Sequence, residues 1–130
     1  DGSGEGEWVG AAAVCCAHPL GGMVAQRARL GPLSEHTVFE GELVGVLLAL
    51  RIVESIPDAN DVAICLDNQS AITRAHRPRP KPGQLITSAI QDEVQRLRER
   101  RPDLRLRLVW VPGHEGVDGN ELADAHAKMA

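Results

Sequence analysis

A chain of 130 residues falls within the ~100 to 200 typical of one domain and is long enough to bury a core, which predicts a single domain over residues 1–130. Its 43% hydrophobic and 25% charged content excludes a disordered, collagen-like or long coiled-coil chain. The net charge of −4 conceals a division: from Arg74 to Arg107 ten basic residues face four acids, a local excess of +6 that leaves −10 for the remainder. Such a block suits a polyanion, although a solvated helix face explains many runs of this kind. The apolar stretch Val44 to Leu50, seven residues including a glycine, falls far short of the ~20 that a membrane-spanning helix needs. Three cysteines, two of them adjacent, form neither a zinc pattern nor an even disulfide set, and read as reduced thiols of an intracellular protein. With Trp8, Phe39 and Trp110 as the only aromatics, stacking along a single strand is disfavoured.

In chain order, Trp8 to Cys16 is an apolar β-rich run, and Pro19, Gly21 and Gly22 turn it into a second strand from Met23 to Leu30, a hairpin. Thr37, with Glu40 three residues later, forms a capping box and predicts a helix to about Ser55, which Pro57 and Asp58 stop. Asp61 to Leu66 has the look of a central buried strand, and Asp67-Asn68-Gln69-Ser70 of a helix start leading into a short helix through Ile72. Three prolines within Arg77 to Gly83 predict a stiff basic loop. An amphipathic helix follows from Leu85 to Arg101, with Ile86, Ile90, Val94 and Leu97 on one face. Leu104, Leu106 and Leu108 alternate with arginines in a strand that runs to Val111 and breaks at Pro112-Gly113-His114-Glu115-Gly116, and Asn120 to Ala130 closes as a helix. The order β-β-α-β-α-α-β-α implies a mixed sheet with helices packed on its faces.

Glu42 is the most informative residue. At about 100° per residue, Val38, Val46, Ala49 and Val53 project within about 40° of it, so an acid stands in the apolar stripe of its helix. An unpaired carboxylate there costs several kcal/mol. It is paired with a buried cation such as an arginine, or coordinates a metal, or the helix register is wrong. Asp67 closes a strand where ligands collect in α/β sheets, yet Asp is also a common N-cap. Asn68, Gln69 and Ser70 offer N–H and polar groups suited to a phosphate. Asp1 precedes Gly2, Ser3 and Gly4, where backbone can approach a ligand or simply turn, and Asp124 lies early in the last helix, where an acid also suits the dipole. Four acids on separate elements are what hard divalent cations such as Mg²⁺ or Mn²⁺ take. Two such ions ~4 Å apart are suited to phosphodiester hydrolysis without a protein nucleophile, and no P-loop, HExxH, GxSxG or CxxC motif competes.

With these residues the sequence resembles the type I ribonuclease H family over its whole length. The matching pieces are Asp1-Gly2-Ser3, Glu42-Leu43 with Leu48-Ala49-Leu50, Leu66-Asp67-Asn68, Trp110-Val111-Pro112-Gly113-His114 and Gly119-Asn120-Glu121-Leu122-Ala123-Asp124. The last segments, the compact Pro/Arg-rich loop and the Gln84 helix look most like ribonuclease H domains of non-LTR retrotransposon reverse transcriptases, or stand-alone genes derived from them. The resemblance implies a ribonuclease H-like α/β fold, a mixed five-stranded sheet with helices on both faces. It implies that Asp1, Glu42, Asp67 and Asp124 hold two Mg²⁺ ions, with Mn²⁺ as a substitute, for endonucleolytic cutting of the RNA strand of an RNA/DNA hybrid. His114 would assist proton transfer or product release; without the resemblance it reads as a surface histidine. Asn68, Gln69 and Ser70 become sugar and phosphate contacts, and Arg77, Arg79 and Lys81 contacts to the DNA backbone, with the arginines at 96 to 101 left as solvated surface. His18, His36, His76 and His126 match no family position, and Glu121 reads as a helix N-terminal acid.

Because the family carries most of a central strand ahead of its first acid, the first strand is expected to be truncated before Asp1. A short basic loop in place of the family's larger handle implies dependence on an attached domain, such as a reverse transcriptase; a monomer without membrane association is expected. The rival reading is a non-catalytic ribonuclease H-like nucleic-acid-binding module, which a full set of four acids argues against. A DNA-cutting transposase or integrase would normally end its acid set with glutamate.

Overall fold

The computed structural model describes residues 1–16, 21–76 and 83–130. Along the chain run β1 (Gly2–Glu5), β2 (Trp8–Cys15), β3 (Val24–Pro32), α1 (Val38–Glu54), β4 (Asp61–Leu66), α2 (Gln69–His76), α3 (Gln84–Arg100), β5 (Arg105–Trp110) and α4 (Asp118–Lys128). The mixed α/β architecture is the expected one. The residue pattern alone does not predict β1, the first strand that the resemblance implies, because four residues that include two glycines carry no alternation. Strand and helix boundaries otherwise fall close to those expected, except that α2 runs past Ile72 to His76 and α4 begins at Asp118, two residues before Asn120. The basic loop lies outside the described residues apart from Gly83, whose φ of 88° leads into α3.

The five strands form two ladders and not the one sheet expected. β1-β2-β3 is antiparallel, and β4-β5 is parallel. At the start of β1, Asp1 spends both backbone groups on Ala12 of β2. On the opposite edge of the strand, the Gly2 N–H goes to the Glu42 carboxylate. β4 is also less enclosed than a central strand. Ile64 and Leu66 enter the core, whereas Asp61, Ala63 and Cys65 are exposed on its other face.

α1 is the hub. Thr37 and Glu40 form the reciprocal capping box that starts it. One stripe, Leu43, Val46, Leu50 and Val53, packs with Ile64 and Leu66 of β4, Ala71 and Ala75 of α2 and Ile90 and Leu97 of α3. The opposite stripe, Leu48 and Ile52, packs on Ala11 and Ala13 of β2. α4 covers the other face of the antiparallel ladder, so close that a Cβ at Gly10 would lie 2.1 Å from the Ala127 carbonyl oxygen. Helices therefore flank both faces, as expected. Arg101 departs from the solvated role assigned to it. Its guanidinium donates to the carbonyls of Val53 (2.9 Å), Ile56 (3.0 Å) and Ala59, closing the C-terminal end of α1 and the connection to β4. Among the described residues no helix is long and apolar enough to cross a membrane.

Candidate active site

Close approach of α1 to β1 builds the first half of the site. A Cβ at Gly2 would lie 2.5 Å from the Glu42 nitrogen, and one at Gly45 would lie 2.7 Å from the Asp1 nitrogen. Only hydrogen at these positions lets helix and strand touch, and the contact sets Glu42 beside Asp1. Glu42 is 5% exposed and its Oε2 is buried without a hydrogen-bond partner. Burial pushes its carboxyl up, opposed by the Asp1 ammonium and the Gly2 N–H and reinforced by Asp67 and Asp124. The Asp1 amine is itself pushed down by burial, while Glu42, Asp67 and Asp124 pull it up. The burial of Glu42 on α1 agrees with the helix register, and among the described residues no arginine acts on it; the cation beside it is the Asp1 ammonium.

β4 supplies the second half. Its parallel pairing with β5 brings two carboxyl ends together, where the Val111 N–H donates to the Leu66 carbonyl at 3.0 Å and Trp110 Nε1 to the Asp67 carbonyl at 3.2 Å. Asp67 does not cap the following helix. That task falls to Asn68, whose Oδ1 accepts from the Ala71 N–H at 3.0 Å, leaving the Asp67 carboxylate for other work. Asp1, Glu42 and Asp67 each offer a ligand oxygen, and these atoms lie within 4.8 Å of one another. Three carboxylates at this separation, one buried with an orphaned oxygen, fit a hard divalent cation.

Asp124 is near enough to act on Glu42 electrostatically but lies outside this trio. Its Oδ2 is paired with Lys128 Nζ at 2.9 Å, one helical turn on. His114 is exposed on the turn after β5 with a φ of 55°, a left-handed conformation that points to a specialised turn. Gln69 and Ser70 are exposed at the start of α2 and Asn68 is half-buried. Arg77, Arg79 and Lys81, expected to touch nucleic acid, lie outside the described residues, as does His18. Glu121 sits in the first turn of α4, where an acid complements the helix dipole.

Three residues at the site escaped sequence reasoning. Asn120, read as the start of the last helix, lies inside it and donates from Nδ2 to Asp67 Oδ2 at 3.2 Å. Gly113 backs the same carboxylate, since a Cβ there would lie 2.5 Å from Oδ2. Lys128 holds Asp124. The i, i+4 spacing of Asp124 and Lys128 on one helix face is a legible sign of the last of these.

Comparison with known proteins adds the lineage. The chain resembles in structure the N-terminal RNase H domain of rv2228c from Mycobacterium tuberculosis, solved as a fusion with maltose-binding protein. The TM-score is 0.72 at 19% identity, over 100% of this chain and 88% of that one. It also resembles RNase H1 from the halophilic archaeon Halobacterium salinarum NRC-1, with a TM-score of 0.61 at 16% identity over 98% and 92% of the two chains. Identities this low establish a ribonuclease H-like fold. The RNase H family model, however, matches residues 1–130, and with a match over its full length the chain belongs to the RNase H family.

Proposed function

We propose that the chain is a metal-dependent endonuclease that hydrolyses the RNA strand of RNA/DNA hybrids, with residues 1–130 acting as one RNase H domain. The observation that carries this reading is the convergence of the Asp1, Glu42 and Asp67 carboxylates within 4.8 Å around a buried, orphaned Glu42 oxygen. These three acids, joined by Asp124 once it leaves Lys128, hold two Mg²⁺ or Mn²⁺ ions. When bound, such ions lower the pKa of water and stabilise charge on a phosphodiester. The chain's own contribution is to hold the oxygens rigidly on α1 and the ends of β1 and β4, with Glu42 shielded from water. His114, on its exposed turn, accepts or donates a proton at the leaving side or helps release product.

Hybrid recognition relies on shape and 2′-hydroxyls. Gln69 and Ser70, exposed one and two residues beyond the end of the Asp67-Asn68 turn, and the amide of Asn68 contact sugar and phosphate. Arg77, Arg79 and Lys81 hold the DNA backbone electrostatically. The sequence of the Pro/Arg loop and of the Gly119 to Asp124 segment supports a likeness to the RNase H domains of non-LTR retrotransposon reverse transcriptases, and an associated reverse transcriptase domain is the proposed partner.

The test is incubation of 5′-labelled RNA annealed to DNA with the protein and Mg²⁺ or Mn²⁺, beside Asp67→Asn and controls of single-stranded RNA and duplex DNA. Cutting confined to the hybrid, dependent on metal and lost in the variant, is expected. A folded protein that binds the hybrid without cutting it would instead establish a non-catalytic binding module.

A further inference from the structure

We propose that Asn120 is a positioning residue for Asp67, its neutral amide reaching from α4 to hold that carboxylate in the orientation that faces Asp1 and Glu42. The inference rests on the nuclease reading above and deepens it. Asn120 is 9% exposed and its Nδ2 donates to Asp67 Oδ2 at 3.2 Å, between residues 53 apart in sequence. A buried amide is costly to place unless its bonds are met, and this one meets a carboxylate of the acidic trio.

Two further features confine the same oxygen. Gly113 lies close against it, since a Cβ there would lie 2.5 Å from Asp67 Oδ2 and 3.2 Å from its Cγ. Asn68 takes over the capping of α2, so the cap does not compete for the Asp67 carboxylate. Oδ2 thus has both an amide donor and a glycine against it. The chemistry of the donor matters as much as its place. A lysine or arginine at position 120 would also hold the carboxylate, but its positive charge would oppose a cation bound alongside. An amide orients the oxygen and adds no net charge, the usual service of a group that supports a metal ligand. Asn120 also lies one turn before Asp124 on α4, so the helix that would bring the fourth acid is registered against the third by this bond.

The test uses the full chain with Asn120→Leu, which keeps volume and removes the donor, and Asn120→Ala as a second variant should the first fail to fold. Calorimetric titration with Mn²⁺, melting in EDTA and steady-state cutting of an RNA/DNA hybrid are measured, the titration and melting repeated in an Asp67→Asn background. Loss of Asn120 is expected to weaken Mn²⁺ binding and lower kcat by roughly 10- to 100-fold, with KM for the hybrid held within about twofold. In the Asp67→Asn background the same substitution is expected to change Mn²⁺ affinity by less than about twofold, because the bond it removes acts through that carboxylate. Unchanged Mn²⁺ affinity in a folded variant, or an equal loss in both backgrounds, would overturn the assignment. A parent chain that binds Mn²⁺ without cutting would overturn the nuclease reading alone, while one that binds no Mn²⁺ would overturn both.

Discussion

At the scale of the residue, the site turns on an acid held where water cannot serve it. Burial raises the Glu42 carboxyl above its ordinary value of 4.5, so the folded, metal-free chain binds that proton more tightly than the unfolded one. The stability this contributes is complete below about pH 4.5 and is lost as pH rises through the raised folded value, at up to ~1.4 kcal/mol per pH unit between the two. Glu42→Gln carries no such proton. In EDTA its melting temperature is therefore expected to exceed the parent's at pH 7 and to converge on it near pH 4, while hybrid cutting disappears. Melting curves at the two pH values check this, and a variant no more stable than the parent at pH 7 in EDTA would contradict the assigned burial. Glu42 was legible from sequence because helical periodicity places it among valines, an arrangement that only a buried partner or ligand explains. Asn120 was not, because an asparagine near a helix start has a cheaper local reading as a cap. Its true partner lies 53 residues away, a separation that no local pattern reports.

At the scale of the element, local chemistry was readable and element-to-element contact was not. The capping box at Thr37 and Glu40 placed the start of α1 at the residue observed, since both hydrogen bonds lie within one turn. β4, by contrast, was read as doubly buried from an apolar run, although Ala63 and Cys65 point away from the core. An apolar sequence states what a strand tolerates and not what covers it. Arg101 illustrates the same gap: amid a run of arginines it looks solvated, yet it satisfies three carbonyls of the α1–β4 connection. Gly45 supplies the sharpest consequence. A methyl there would meet Asp1 N at 2.7 Å, Asp1 O at 3.1 Å and Ala12 O at 3.2 Å, all backbone atoms that cannot swing aside. Gly45→Ala should cost roughly 1 to 3 kcal/mol by overpacking, outweighing the ~1 kcal/mol that alanine gains over glycine inside a helix. Denaturant unfolding measures the first effect. Mn²⁺ titration measures the second, a weakened site as Glu42 is levered away from Asp1; a stabilised variant with intact Mn²⁺ affinity would show that α1 and β1 do not depend on this contact.

At the scale of the whole molecule, the fold class followed from the order of elements, but the division of its strands into two ladders did not. That division gives the acidic trio a mechanical role. Asp1 begins the antiparallel ladder, Asp67 ends the first strand of the parallel one, and Glu42 rides on the helix whose two stripes pack against both. Without a cation, crowding three carboxyl groups within 4.8 Å disfavours their joint ionisation. A bound divalent cation reverses the sign of that interaction and ties the two ladders across the site. Binding to the folded chain alone stabilises it by RT ln(1 + [L]/Kd), about 2.7 kcal/mol at a hundredfold excess over Kd. Mn²⁺ at that excess is expected to raise the unfolding free energy by about this amount. It should also slow amide exchange at Gly2, Ala12 and Val111, whose N–H groups bond at the strand ends that carry Asp1 and Asp67. Asp67→Asn is expected to lose most of both responses while melting in EDTA at or above the parent, since it removes one of the repelling charges. If Mn²⁺ slowed exchange equally in the variant, or left those three amides unchanged in the parent, the cation would not be bridging the ladders through Asp67.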